Sequence, residues 1–231
     1  MTQRPITAGL LLFAAILAAQ ASGQDVPSSP SVGTIEGTVT YQTDTARPWR
    51  YSRYYIKQPK TGEMAEAVVA LRAKPTNDPG REPQTVVIDQ QNFQFLPETV
   101  AIRRGDSVKF TNADQATHNV QATTDIATFN VNMPGGGHHL VRFDRPGGIR
   151  QPIQIGCVFH SAMRAWIFVF DHPWYQITPP SGKFRLDSVP PGPYELEVVH
   201  PAGDLRWRKR IEVKPGEPLR IDIRLSADDK M

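Results

Sequence analysis

Short runs of alternating apolar and polar residues, separated by proline and glycine, restrict the fold of this chain most. The 231 residues include 21 prolines and 17 glycines, and no helical apolar stripe is longer than two turns. A period of two residues turns one face of each run toward a core, as in the strands of a β-sandwich. The sequence therefore predicts an all-β fold. The alternating runs are residues 35–41, 67–71, 99–102, 107–110, 166–170, 194–199 and 219–225.

The N-terminus has the pattern of a signal peptide, predicted to cover residues 1–21. Arg4 precedes an apolar segment at 8–19, and Ala19-Gln20-Ala21 fits a small-x-small cleavage site. The segment is too short to span a bilayer comfortably, so we expect no stable membrane insertion after cleavage, with a retained anchor as the alternative. Residues 22–32, rich in serine and proline, are predicted to be a disordered linker. The expected location is periplasmic or secreted.

The charge distribution does not favour nucleic acid as a partner. The formal net charge is +3, and acidic and basic residues are interspersed along the chain. Cys157 is the only cysteine, so an internal disulfide is excluded and stability must come from apolar cores and metal. In an exported chain an unpaired cysteine needs an explanation, and metal ligation supplies one.

Residues 157–163 (CVFHSAM) place a thiolate, an imidazole and a thioether close together, at Cys157, His160 and Met163. A second imidazole, His118, lies upstream on a different predicted strand. Two histidines, one cysteine and a weak axial methionine are the donors of a mononuclear blue-copper site. The alternative is a buried cysteine, a capping histidine and a core methionine, each of which is common singly. Because they coincide, the sequence predicts one type 1 copper per chain.

Residues 85–173 resemble the cupredoxin family of plastocyanin, amicyanin and azurin. The resemblance implies a Greek-key β-sandwich with copper held by His118, Cys157, His160 and Met163. Residues 86–95 and 97–112 are similar to the two opening strands of the family. Thr117-His118-Asn119 is similar to its first-ligand motif, and Cys157-x2-His160-x2-Met163 is similar to the short ligand loop of amicyanin.

The resemblance also implies roles for residues around the ligands. Asn119 is expected to hydrogen-bond across to the cysteine loop and to hold the histidine strand to it. The edge of the His160 ring is expected to lie in a small apolar surface where a redox partner docks. The residues expected on that surface are Phe159, Ala162, Met133 and Pro134.

The flanking segments resemble a second sandwich, the carboxypeptidase regulatory-like domain. The likeness lies in residues 33–40, 66–71 and 182–198. It predicts a discontinuous domain of residues 33–75 and 176–228, with the cupredoxin domain, residues 85–173, inserted in one of its loops. Insertion at an exposed loop has a mild thermodynamic cost. The alternative is two unrelated sandwiches in series, which would leave residues 33–75 too short to form a core alone.

The sequence therefore predicts an exported blue-copper protein that carries single electrons between periplasmic or membrane redox partners, such as a c-type cytochrome or a dehydrogenase. A cell-envelope module that stores or delivers copper is the alternative. An enzyme is not expected, because four protein ligands leave no open position on the metal for a substrate. The aromatic and basic residues 49–55 are interpreted as packing between the two domains, or as a docking or carbohydrate surface.

Overall fold

The computed structural model describes residues 1–2, 32–42, 44, 46–78 and 80–230. The predicted signal peptide and the predicted linker, except for their terminal residues 1–2 and 32, lie outside the described residues. Among the helices of the described part, none is long and apolar enough to cross a membrane.

The all-β prediction is confirmed, because strands account for nearly all regular structure in the described residues. One five-residue helix, α1 (Trp49–Arg53), and one 3₁₀ turn (Pro201–Gly203) accompany them. The strands are β1 (Gly33–Tyr41), β2 (Val68–Arg72), β3 (Thr85–Gln91), β4 (Gln94–Leu96), β5 (Thr99–Arg103), β6 (Ser107–Asn112), β7 (His118–Thr123), β8 (Thr128–Met133), β9 (His138–Arg142), β10 (Ile153–Gly156), β11 (Arg164–Phe170), β12 (Tyr175–Ile177), β13 (Lys183–Val189), β14 (Gly192–His200), β15 (Leu205–Val213), β16 (Leu219–Arg220) and β17 (Ile223–Leu225).

These strands form four sheets, which pack as two sandwiches. In the outer sandwich, made of β1, β2 and β12–β17, one sheet has the order β13-β1-β16 with β17 also on β1, and the other has the order β12-β2-β14-β15. In the inner sandwich, made of β3–β11, the orders are β4-β3-β6-β9 and β5-β11-β10-β7-β8. Each sandwich encloses its own apolar core. The predicted domain boundaries, 33–75 with 176–228 and 85–173, stay a prediction.

A third apolar cluster, the interface cluster, joins the two sandwiches. Strand β11 contributes to both this cluster and the inner core, so it is buried on both faces. Burial on both faces explains the unbroken apolar run of β11. Ala165, Ile167 and Val169 of β11 point into the inner core. The alternate residues of β11 pack against the outer sandwich. The buried members of the interface cluster are Val68, Ala70, Ile149, Trp166, Phe168, Phe170, Val199 and Ala202.

An ion pair crosses the same boundary. Glu197 on β14 has a side chain that is 1% exposed, and Arg150, which precedes β10, donates to it from Nη2 at 2.6 Å and from Nε at 2.9 Å. Arg150 Nη2 also lies 3.0 Å from a carboxylate oxygen of Glu195. The bidentate geometry fixes the relative position of the sandwiches more specifically than apolar contact alone does.

Candidate metal centre

Strand register brings the predicted ligands to one end of the inner sandwich. Gly156 at the end of β10 pairs with Gln121 of β7 on one side and with Arg164 of β11 on the other. Both pairings are antiparallel, so three segments leave the sheet at the same end: the one after Gly156, the one before Gln121 and the one before Arg164. His118 and the loop of residues 157–163 therefore meet there.

Three of the four predicted ligands form a compact group. The ligand atoms of His118, Cys157 and His160 all lie within 4.8 Å of one another. The two Nδ1 atoms are 3.2 Å apart, and Cys157 Sγ lies 3.6 Å from His160 Nδ1. His118 is fully buried, Cys157 is 7% exposed and His160 is partly exposed. One sulfur and two imidazole nitrogens that converge in this way fit a soft first-row metal such as copper.

The contact of His118 Nε2 indicates which ring nitrogen is available to a metal. Nε2 lies 2.8 Å from a carboxylate oxygen of Asp114, which can only accept a hydrogen bond when ionised. Hydrogen bonds from the Phe93 backbone N–H and the His118 ring hold the pKa of Asp114 below its ordinary value. Nε2 therefore donates to the carboxylate, which leaves Nδ1 as the ring nitrogen that faces the group. Such carboxylate–histidine contacts orient metal ligands and raise their basicity.

Cys157 and Met163 lie at the two ends of the ligand loop, inside the inner core. The backbone N–H of Asn119 donates a hydrogen bond to Cys157 Sγ at 3.3 Å. Met163 is 2% exposed, and its backbone N–H donates to the carbonyl oxygen of His160 at 2.9 Å. This bond closes a tight turn between the second histidine and the methionine.

Residues 83–165 match the family model of copper binding proteins of the plastocyanin/azurin family. The match supports a cupredoxin domain in this part of the chain and copper as its metal.

The cupredoxin domain also has solved structures that are similar to it. Amicyanin from Paracoccus versutus is 21% identical, with a TM-score of 0.34, over 44% of this chain and 97% of that one. The Cu-containing nitrite reductase from Thermus scotoductus is 21% identical, with a TM-score of 0.35, over 43% of this chain. The match spans 26% of the nitrite reductase chain. The comparison with curated proteins gives no match.

In the cupredoxin domain, Asn119 contacts the cysteine loop through its side chain as well. The Val158 backbone N–H donates to Asn119 Oδ1 at 3.4 Å, a long contact. The Asn119 amide nitrogen donates to Asn130 Oδ1 at 2.6 Å and to Asn132 Oδ1 at 2.9 Å, both on β8. With both amide hydrogens used, Asn119 Oδ1 is left to face the loop. Sequence reasoning missed Asn130 and Asn132, because only the pairing of β7 with β8 brings them to Asn119.

The residues expected on a docking surface divide into two groups. Phe159 is 52% exposed, and Ala162 and Pro134 are also exposed. Met133 is 1% exposed, so it cannot contribute to a docking surface. It pairs with His118 across β7 and β8, and residues opposite each other in an antiparallel pair share a face, here the core face.

Two further residues at the centre were missed from the sequence. Phe93, in the turn between β3 and β4, places its ring edge-to-face against both His118 and His160. Asp114 accepts hydrogen bonds from the His118 ring and from the same turn. The position of Asp114, four residues before His118, is a signal that could have been used. The contact of Phe93 depends on how the two sheets pack, which the sequence does not reveal.

Proposed function

We propose that this chain is an exported type 1 copper protein that binds one copper ion and carries single electrons. The observation that supports this most directly is the convergence of the His118, Cys157 and His160 ligand atoms within 4.8 Å, at a largely buried position. Ligands fixed in place on strands and a short loop suit electron transfer, because the metal site need not rearrange when the charge of the ion changes.

The proposed ligands have distinct roles. His118 and His160 would bind copper through Nδ1, Cys157 through its thiolate, and Met163 weakly through its thioether. Bound copper supplies a one-electron couple, in which sulfur donors favour Cu(I) and imidazoles also serve Cu(II). The Asn119 N–H stabilises charge on the thiolate, and the Asp114 carboxylate fixes the His118 ring.

Burial favours a carrier over the alternative of a copper store or delivery module. His118 is fully buried and Cys157 nearly so, which leaves no accessible pair of ligands from which a recipient could take the ion. Electrons need no such path, since His160 is partly exposed. A carrier is also favoured over an enzyme, because four protein donors leave no position on the metal for a substrate.

The wider context is part of the same proposal. We infer that the partner is a redox protein, such as a c-type cytochrome or a dehydrogenase, that docks on exposed Phe159, Ala162 and Pro134. Small apolar contacts of this kind suit transient electron-transfer encounters. The proposed location is periplasmic or secreted. The outer sandwich is proposed to be a regulatory-like domain of residues 33–75 and 176–228, with residues 85–173 inserted in it.

Absorption and EPR spectra of the oxidised, copper-loaded protein test the proposal. We expect one copper per chain, an intense visible thiolate-to-copper band and narrow copper hyperfine splitting. Cys157→Ala should abolish the band, whereas His138→Ala, at an exposed histidine on β9, should leave it unchanged. A colourless Cu(II) protein with ordinary hyperfine splitting would exclude a type 1 site. Copper transfer to a chelator faster than electron exchange with an added redox protein would favour the storage alternative.

A further inference from the structure

The turn between β3 and β4 has an unfavourable backbone conformation. Asn92 and Phe93 both have positive φ angles, of 53° and 59°. Glycine adopts this left-handed region freely and asparagine tolerates it, but a phenylalanine does so at a free-energy cost. Strained residues persist where the surroundings hold them, and they cluster at functional sites. The position of Phe93 beside the proposed ligands gives such a reason.

Asp114 holds this turn in place. One of its carboxylate oxygens accepts from the Asn92 N–H at 2.8 Å, and the other accepts from the Phe93 N–H at 3.0 Å. The second oxygen also lies 2.8 Å from His118 Nε2. A single carboxylate therefore links the strained turn to a proposed copper ligand, and its two bonds to backbone N–H groups offset the cost of the left-handed conformation.

The ring of Phe93 covers both imidazoles. Its centroid is 5.2 Å from that of His118 and 4.9 Å from that of His160, with interplanar angles of 86° and 87°. These are edge-to-face contacts of the favourable kind. Phe93 is 50% exposed whereas His118 is fully buried, so the phenylalanine lies between a ligand ring and solvent.

We propose that Phe93 is an aromatic cap, held in its strained conformation by Asp114, that keeps water and small ligands away from the imidazole side of the copper site. The inference rests on the proposed function for its effect on copper, but the cap itself can be tested without metal. Excluding water lowers the local dielectric and destabilises the more highly charged Cu(II) state. The cap should therefore raise the reduction potential of the bound ion.

Access to the metal-free site is the first test. Cys157 is the only cysteine, so iodoacetamide reports on one position. In the full-length protein, Phe93→Ala and Phe93→Gly should each increase the rate of Cys157 alkylation several-fold. Val87→Ala is a matched control, because Val87 lies on β3 and is 47% exposed, close to the 50% of Phe93. Equal rates in wild type and both Phe93 variants, or an equal rise in Val87→Ala, would overturn the cap.

Strain is the second test and separates the backbone from the ring. Both variants lose the ring, but glycine also relieves the positive φ angle. Phe93→Gly should therefore have a folding equilibrium about five-fold more favourable than that of Phe93→Ala, the reverse of the usual order for these residues. Urea unfolding of the metal-free proteins measures this ratio. If the alanine variant is as stable as the glycine variant, the turn is not strained and that part of the inference is wrong.

Loaded protein provides the third readout. Both Phe93 variants should keep the visible band and show a lower reduction potential than wild type. An unchanged potential in both variants would overturn the shielding role. If the protein binds no copper at all, the proposed function fails, while the alkylation and unfolding results still decide whether Phe93 covers the site.

Discussion

Acidification should destabilise the outer sandwich, because a histidine is buried there in its neutral form. His200, at the end of β14, is fully buried and contacts the rings of Tyr54 and Tyr55, with centroids 5.9 Å and 5.6 Å away. Its Nδ1 accepts a hydrogen bond from the Gly203 N–H at 3.0 Å, which requires the unprotonated nitrogen. Burial lowers the pKa of His200 from 6.5 to about 4.

The size and sign of the effect follow from proton linkage. Between pH 6.5 and about 4 the unfolded chain binds a proton at His200 that the folded chain does not, so folding stability falls as pH falls through this window. At about 1.36 kcal/mol per pKa unit, the loss is on the order of 3 kcal/mol. Burial also lowers the pKa of His172, which adds a contribution of the same sign. At pH values above the pKa of the unfolded chain, neither histidine makes folding stability depend on pH.

Urea unfolding of the metal-free protein at a series of pH values measures this loss. His200→Asn keeps an acceptor near the Gly203 N–H but cannot titrate, so most of the slope between pH 6.5 and 4 should disappear. His138→Asn, at an exposed histidine, should keep the wild-type slope. Contributions from residues other than His200 and His138 are common to all three proteins and cancel in the comparison. If His200→Asn retains the wild-type slope, the linkage argument is wrong.

Three other variants test the centre and the boundary between the sandwiches. Met163→Leu should keep copper and colour, because the volumes are similar, and should raise the reduction potential, because a weak donor to Cu(II) is lost; loss of copper would contradict an axial role. In urea unfolding, Arg150→Ala should lower the unfolding free energy by about 2–3 kcal/mol, because it leaves Glu197 buried and unpaired. The control Arg142→Ala removes an ion pair in which both side chains are exposed, so it should change the unfolding free energy by less than about 0.5 kcal/mol. Phe168→Ala, in the interface cluster, should cost about 3–5 kcal/mol by that assay, and a cost below about 1 kcal/mol would mean that the cluster adds little.

Much of the fold could be predicted because strand alternation is a local signal. Residues 35–41 and 194–199 were predicted as strands and lie in β1 and β14. Residues 219–225 were expected to form one strand but form two, β16 and β17. The break has a physical cause: the Asp222 carboxylate accepts from the Thr38 N–H at 3.0 Å and replaces a backbone acceptor beside β1. A side chain that replaces a backbone hydrogen-bond acceptor of the sheet cannot be recognised from the periodicity of the sequence.

The parts of the candidate centre that lie close together in the sequence were more predictable than the parts that come from distant segments. Cys157 and His160 share one loop, so their convergence needs only a turn. The roles of Phe93 and Asn132 depend on which strands pair and which sheets face each other, and neither follows from spacing along the chain. The apolar run of β11 did carry an unused signal, because a strand without polar alternation is covered on both faces. It indicated that the two sandwiches share a buried boundary.

The closure of the outer sandwich has a consequence for the order in which the chain folds. Thr34 and Asp187, whose side chains are hydrogen bonded, are 153 residues apart, and β1 pairs with β13 over most of its length. During synthesis β1 and β2 leave the ribosome long before their partners exist, whereas β3–β11 can complete the inner sandwich from consecutive sequence. The earliest strands to be made are thus the last to be paired, and a folded inner sandwich shortens the loop that they must close.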